Sequence, residues 1–226
     1  MPTSPPSQRA VLFDLDGTLV DTIELLLGSV QHAFEGRTGR APSRPEWIAG
    51  IGTPLASQLR PYTSDEDDLQ SLMAVYRRYQ RKHHDRLTQC YDDVLPTIER
   101  LHARGYPMAV VTSKTNDLAR RTLEHVGLAP FMTAVIGLES TTEHKPKPEP
   151  VRAALAALDR PAADAVFVGD SPHDMAAGNA AGVTTIAALW GPFSRDVLDR
   201  AAPRYTLDQM SALPALLDSM ADGTRG

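Results

Sequence analysis

Two aspartates one residue apart, Asp14 and Asp16, follow directly on the apolar run Ala10-Val11-Leu12-Phe13. A short apolar run closed by a turn signal, here Gly17-Thr18, reads as a buried parallel strand. Residues two apart on a strand point the same way, so both carboxylates face one side at its carboxyl end. Ligands of open α/β sheets bind at that end. Two carboxylates are costly there unless a cation or a proton compensates them. The plainer reading of Asp-x-Asp-Gly alone is a turn with two solvated aspartates.

Three later stretches carry residues of matching chemistry. Val110-Val111-Thr112-Ser113-Lys114 ends a second apolar run in two hydroxyls. Such hydroxyls donate to an oxyanion, or they cap the helix that follows. His144-Lys145-Pro146-Lys147-Pro148-Glu149-Pro150 is a proline-stiffened loop. A lysine held near two aspartates would neutralise charge and clamp phosphate, whereas most lysines are simply solvated. Val168-Gly169-Asp170-Ser171-Pro172-His173-Asp174 ends a further apolar run. Gly169 permits close backbone approach. Asp170 offers a hard oxygen ligand to a divalent cation. Asp174 falls in the first turn of the next helix, where the helix dipole already favours an acid.

The elements that must position these residues follow from periodicity. Strands are expected at residues 10–13, 107–112, 134–136, 165–168 and 183–187, alternating with helices at 92–101, 116–126, 150–158, 172–181, 194–201 and 208–217. Such alternation gives an α/β fold with a parallel, doubly wound, Rossmann-like sheet. Between residues 22 and 90 the pattern is helical throughout. Helix 21–34 has Ile23, Leu26, Leu27, Val30 and Phe34 at helical spacing, and short helices surround Gly50-Ile51-Gly52-Thr53-Pro54. Ser64 reads as the N-cap of a long helix running to about Leu87. Its buried stripe is Leu69, Leu72, Met73, Tyr76, Tyr79, His83 and Leu87, with Arg78, Arg81 and Lys82 facing away. The expected organisation is therefore a core of residues 1–21 and 91–226 and an inserted all-helical cap of residues 22–90.

Composition narrows the partners. The chain has 226 residues, 42% hydrophobic, with net charge −5, so no basic stripe invites nucleic acid. Residues 1–8 have no apolar segment of a signal peptide and read as a frayed tail, and no apolar run suits a membrane span. The single cysteine, Cys90, cannot form an internal disulfide, which fits a reduced, cytoplasmic setting. Cys90 has no catalytic partner nearby in the sequence and reads as a small packing residue.

The string Asp-Leu-Asp-Gly-Thr-Leu-Val-Asp from Asp14 to Asp21 resembles the nucleophile motif of the haloacid dehalogenase superfamily, chiefly its magnesium-dependent phosphatases. The three later stretches match the other motifs of that family in order, and the resemblance covers the chain beyond its tail. It implies a Mg²⁺ cofactor held by Asp14, Asp170, Asp174 and the backbone carbonyl of Asp16. It implies Asp14 as nucleophile, forming an aspartyl-phosphate, and Asp16 as the acid that protonates the leaving oxygen. Nearby like charges would keep a proton on Asp16. Thr112, with Ser113, would bind the transferring phosphate, and Lys145 would compensate the acids, Lys147 falling in a variable slot of Lys-Pro-x-Pro.

The nearest groups by resemblance are the phosphoglycolate phosphatases and the pyrophosphatases of the same superfamily. Phosphomutases carry a basic signature in the loop corresponding to Gly50–Pro54, which is absent here, and dehalogenases lack the second carboxylate. Signalling receiver domains share a phosphorylated aspartate, acids, a hydroxyl and a lysine, but lack the cap and Asp16. Tyr79-Gln80-x-x-His83-His84-Asp85 resembles a helix end of the pyrophosphatases, which implies that His83 and His84 bind a second anion. A histidine on an apolar stripe is otherwise a core residue. The expected substrate is a small phosphorylated metabolite, phosphoglycolate ahead of pyrophosphate, handled by a monomer or homodimer.

Overall fold

The structure is a computed structural model and describes residues 8 to 222. Of the tail read from the sequence, residues 1–7 lie outside the described residues.

The chain enters through β1 (Ala10–Phe13) and a two-residue strand β2 (Val20–Asp21). It then forms four helices, α1 (Ile23–Phe34), α2 (Arg44–Gly50), α3 (Leu55–Leu59) and α4 (Glu66–His83), and returns through β3 (Gln89–Cys90). The rest alternates: α5 (Val94–Ala103), β4 (Met108–Val111), α6 (Asn116–His125), β5 (Ala134–Ile136), α7 (Glu149–Leu158), β6 (Ala165–Gly169), α8 (Pro172–Ala181), β7 (Thr184–Ala188), α9 (Arg195–Arg200), β8 (Tyr205–Leu207) and α10 (Leu213–Asp222).

Six strands pair in parallel in the order β5-β4-β1-β6-β7-β8, an α/β Rossmann-like sheet as the alternation predicts. β1 is buried along its whole length, the condition a parallel strand with helices on both faces requires. Alternate residues serve opposite faces. Val11 and Phe13 join Val110, Val166 and Val168 in one apolar cluster, while Leu12 joins Val111 and Phe167 in the other. Register sets the ends of the strands level: Phe13 lies opposite Val110 on one side and Val168 on the other. The polar residues that follow these three strands therefore emerge at one edge.

Helices α1 to α4 bury their own cluster, including Val30, Trp47, Leu59, Leu72 and Tyr76. β2 and β3 pair as an antiparallel ribbon, Val20 with Cys90 and Asp21 with Gln89, where the helical block joins the sheet. Ser113 Oγ donates to the Gly52 carbonyl at 2.6 Å, and a ring nitrogen of His173 contacts the Ala49 carbonyl at 3.2 Å, so the block also touches the edge of the sheet.

Several details differ from the sequence reading. The ribbon and β8 were not expected; strands of two or three residues are too short to show a period. The cap of α4 is Asp65, not Ser64, and its carboxylate accepts from the Asp68 N–H at 2.8 Å. The helix stops at His83 rather than Leu87. Cys90 packs partly buried against the sheet cluster, and burial pushes its thiol up to about 11, away from a reactive thiolate.

Candidate active site

The backbone N–H of Asp14 donates to the Val168 carbonyl at 2.9 Å, which continues the ladder one residue past β1 and turns the carboxylate into the cleft. Asp14, Asp170 and Asp174 are buried, and one oxygen of each lies within 4.8 Å of the others. Asp170 is walled in on two sides. A Cβ on Gly17, whose φ is +84°, would stand 2.5 Å from the Asp170 carboxylate, and one on Gly191 would stand 2.4 Å from Asp170 Cβ. Only glycine fits either place.

Lys145 stands in the middle of the acids, 2% exposed. Its ammonium donates to Asp14 Oδ1 at 2.8 Å, to Asp174 Oδ1 at 2.7 Å and to the Val111 carbonyl at 3.3 Å. The Lys145–Pro146 peptide is cis. Lys147 points away and pairs with Glu143 at 2.5 Å on the surface.

The electrostatics are strained by burial. Desolvation first, and then the Asp174 charge, push Asp14 up to about 7. Burial and the Asp14 carboxylate raise Asp170 well above the usual range. Burial alone would lower Lys145, yet the carboxylates of Asp14 and Asp174 outweigh it and hold the amine above its ordinary value. One lysine does not balance three acids, and buried carboxylates call for a further cation.

The donor set fits a hard divalent metal. Asp170 Oδ1 accepts from Thr18 at 2.6 Å, but Asp170 Oδ2 is buried with no hydrogen-bond partner. Asp174 is more heavily committed. Its Oδ1 takes Lys145 and its Oδ2 takes the Ser171 hydroxyl at 2.6 Å, in a capping box that starts α8. Asp174 thus sits in the first turn of α8, as its place in the sequence predicts, and also pairs with Lys145.

Above the acids lies a cavity of about 430 Å³ between the sheet edge and the helical block. Asp14, Asp16, Thr112 and Ser113 line its floor, and Tyr76, Arg77, Gln80 and Arg81 of α4 line its roof. Thr112 Oγ1 accepts from the Lys114 N–H at 3.2 Å, while the Ser113 hydroxyl is taken by Gly52. Asp16 accepts from both Thr22 and the Lys114 ammonium. The sequence reading weighed only like charges around Asp16; the structure sets a buried cation against it. Lys114 was missed because nothing in its neighbourhood distinguishes it, its partner being 98 residues away.

The roof also corrects the sequence reading. Neither His83 nor His84 lines the cavity. His83 stacks on Tyr79, ring centroids 4.2 Å apart, beside Arg86. His84 is fully buried and hydrogen-bonded to Asp85 at 2.7 Å and to Thr122 at 2.8 Å. Arg81, expected to face away, lines the cavity. His83 belongs to the helix row of Tyr79 rather than that of Gln80 or Arg81, and His84, still helical in φ and ψ, is held by Asp85 and Thr122.

The sequence profile of the family described as haloacid dehalogenase-like hydrolase matches residues 11–188. The chain belongs to this family. The haloacid dehalogenase-like chain is 38% identical over 201 residues to the PpaX protein of Caldanaerobacter subterraneus, covering 89% of this chain and 90% of that one. It is 35% identical to the pyrophosphatase PpaX of Halalkalibacterium halodurans, covering 93% of this chain and 95% of the relative. In fold it is similar to a structure from Haemophilus somnus described as a predicted phosphoglycolate phosphatase, with a TM-score of 0.83 at 23% identity, covering 94% of this chain and 99% of that one. No helix among the described residues of this haloacid dehalogenase-like hydrolase is long and apolar enough to cross a membrane.

Proposed function

We propose that the protein is a Mg²⁺-dependent phosphatase that hydrolyses a small phosphorylated metabolite in the cytoplasm through an aspartyl-phosphate on Asp14. The observation that carries this reading is the buried set Asp14, Asp170 and Asp174 around Lys145, with one Asp170 oxygen unpartnered, beside the cavity. The carboxylates of Asp14, Asp170 and Asp174, with the Asp16 carbonyl, would hold the Mg²⁺ ion, which supplies neutralising charge to the phosphoryl oxygens.

The protein's own groups account for the remaining steps. Thr112 and Lys145 bind and orient the phosphoryl group over Asp14. An Asp14 oxygen bonds to phosphorus as the bond to the leaving oxygen breaks, and Asp16 gives that oxygen a proton. Lys114, already bonded to Asp16, holds it in place and stabilises the carboxylate that results. Asp16 then takes a proton from water, whose oxygen bonds to phosphorus as the Asp14–phosphate bond breaks. Free phosphate leaves and both acids return to their starting states. Residues 22–90 serve as the cap that excludes bulk water and meets the leaving group.

For the substrate, the relatives of 35–38% identity bear a pyrophosphatase-related name, which favours pyrophosphate over the phosphoglycolate preferred on sequence grounds. The test is phosphate release from a panel of phosphorylated metabolites, with Mg²⁺ and with chelator. Repeated turnover that requires metal supports the reading. A single equivalent of phosphate, or full activity in chelator, contradicts it.

A further inference from the structure

Four neighbouring residues of α4 face the cavity: Tyr76, Arg77, Gln80 and Arg81. They form two adjacent rows one turn apart, Tyr76 over Gln80 and Arg77 over Arg81, so they present a single patch. The patch lies across the cavity from Asp14 and Thr112, where the phosphoryl group is bound on the reading above.

What this patch lacks is partners. Among the described residues, the Arg77 and Arg81 guanidinium groups make neither a hydrogen bond nor an ion pair, and the Gln80 amide, 6% exposed, makes no hydrogen bond. The other cations on the walls are taken, Lys114 by Asp16 and Arg121 by Asp85 at 2.9 Å. A further donor is stranded beside them. Trp47, 3% exposed, lines the same cavity with its indole N–H buried and unpartnered. Buried donors are nearly always satisfied, so an indole N–H left open on the cavity marks a place for an acceptor, and the Gln80 amide, without a partner, lies on the same cavity. Two guanidinium groups beside them make that acceptor anionic, since their planar forks match carboxylate and phosphate oxygens.

We infer that Arg77, Arg81, Gln80 and Trp47 form a second anion subsite, which selects phosphate compounds whose leaving group itself carries a phosphate or carboxylate. The inference rests on the phosphatase reading for the position of the first phosphate. It replaces the histidines with arginines as the readers of the second charge.

Two acids on the wall, Asp117 and Glu139, compete for the arginines. Asp117, in the first turn of α6, lines the cavity without an ion pair. If Arg77 or Arg81 served only to clasp either acid as the cap closes, their loss would weaken every ligand alike. A subsite for substrate weakens only those with a second charge.

The test is direct binding, by calorimetry in Mg²⁺, to the full chain carrying Asp14→Asn, which does not turn substrate over. The ligands are inorganic pyrophosphate, phosphoglycolate and inorganic phosphate. Pyrophosphate or phosphoglycolate should bind more tightly than phosphate, and whichever does so identifies the second anion. Arg77→Gln and Arg81→Gln should each cut that preference by about tenfold or more, with partial recovery in Arg77→Lys and Arg81→Lys. No preference in the parent protein, or equal weakening of all three ligands, overturns the subsite. Turnover of p-nitrophenyl phosphate by the unsubstituted protein tests the phosphatase reading separately.

Discussion

The Lys145 ammonium lies 2.8 Å from Asp14 Oδ1, although 131 residues separate the two in sequence. The contact joins the loop before α7 to the end of β1, and both partners are almost wholly buried. On the proposed mechanism, a lysine in this position neutralises the surroundings of the attacking carboxylate and stands where phosphoryl oxygens would arrive.

Lys145→Met should therefore lower kcat by roughly 10²–10³, the scale of a lost charge-stabilising donor. Lys147→Ala, on the exposed pair with Glu143, should change kcat by less than about twofold. Steady-state kinetics of both variants check this, and the opposite ranking would contradict the assignment.

Asp16 is held by Lys114, so Lys114→Met should act through the acid rather than through binding. The loss of kcat should reach about tenfold or more on an alkyl phosphate, whose leaving oxygen needs a proton. It should be smaller on p-nitrophenyl phosphate, whose leaving group departs as an anion. Equal losses on the two esters would leave Lys114 a purely structural residue.

Metal linkage gives a measurement independent of turnover. Mg²⁺ at a hundred times its Kd should stabilise the protein by about 2.7 kcal/mol, read as a rise in Tm. Asp170→Asn should abolish most of that rise. In chelator the variant should melt above the natural protein, because burial and the Asp14 charge both disfavour an ionised Asp170. A Tm shift with Mg²⁺ that is unchanged in Asp170→Asn would place the metal elsewhere.

Much of this site was legible because apolar runs end where chemistry begins. Ala10–Phe13 and Ala165–Val168 stop abruptly at Asp14 and at Gly169-Asp170, and parallel pairing brings such ends level whatever lies between them. Asp174 followed in the next helical turn, while Lys145 lies in a proline-stiffened loop and was singled out only by the resemblance of its Lys-Pro-x-Pro frame. Lys114 was not legible, since its role is defined by a distant carboxylate and not by its neighbours. The roof of the cavity was misread by rotation. Arg81, assigned to solvent by a stripe drawn from hydrophobicity alone, is exposed but sits beside the buried row of Tyr76 and Gln80 and so also lines the cavity. His84, read beside the apolar stripe as an anion binder, is instead held by Asp85 and by Thr122 of a distant helix.

The histidines make a pH prediction in their new setting. Burial lowers the His84 pKa, so the native protein resists protonating it. Below about pH 6.5 the unfolded chain takes up a proton that the native state refuses, and stability falls as the pH drops. His84→Gln should flatten the decline in Tm between about pH 6.5 and 5 relative to the natural protein. His83→Ala should leave KM within about twofold, since the side chain stacks on Tyr79 outside the cavity. An undiminished pH slope in the first variant, or a large KM rise in the second, would contradict these placements.

The central claim is that Asp14 is the nucleophile. The direct measurement is the kcat of Asp14→Asn under saturating substrate and Mg²⁺, with acid-quenched mass spectrometry of both proteins during turnover. The account predicts a fall in kcat on the order of 10⁴ or more with the fold intact, a phosphoryl adduct on the Asp14 peptide of the natural protein, and none in the variant. Turnover by Asp14→Asn within about tenfold of the natural rate, or an adduct that survives the substitution, would contradict it.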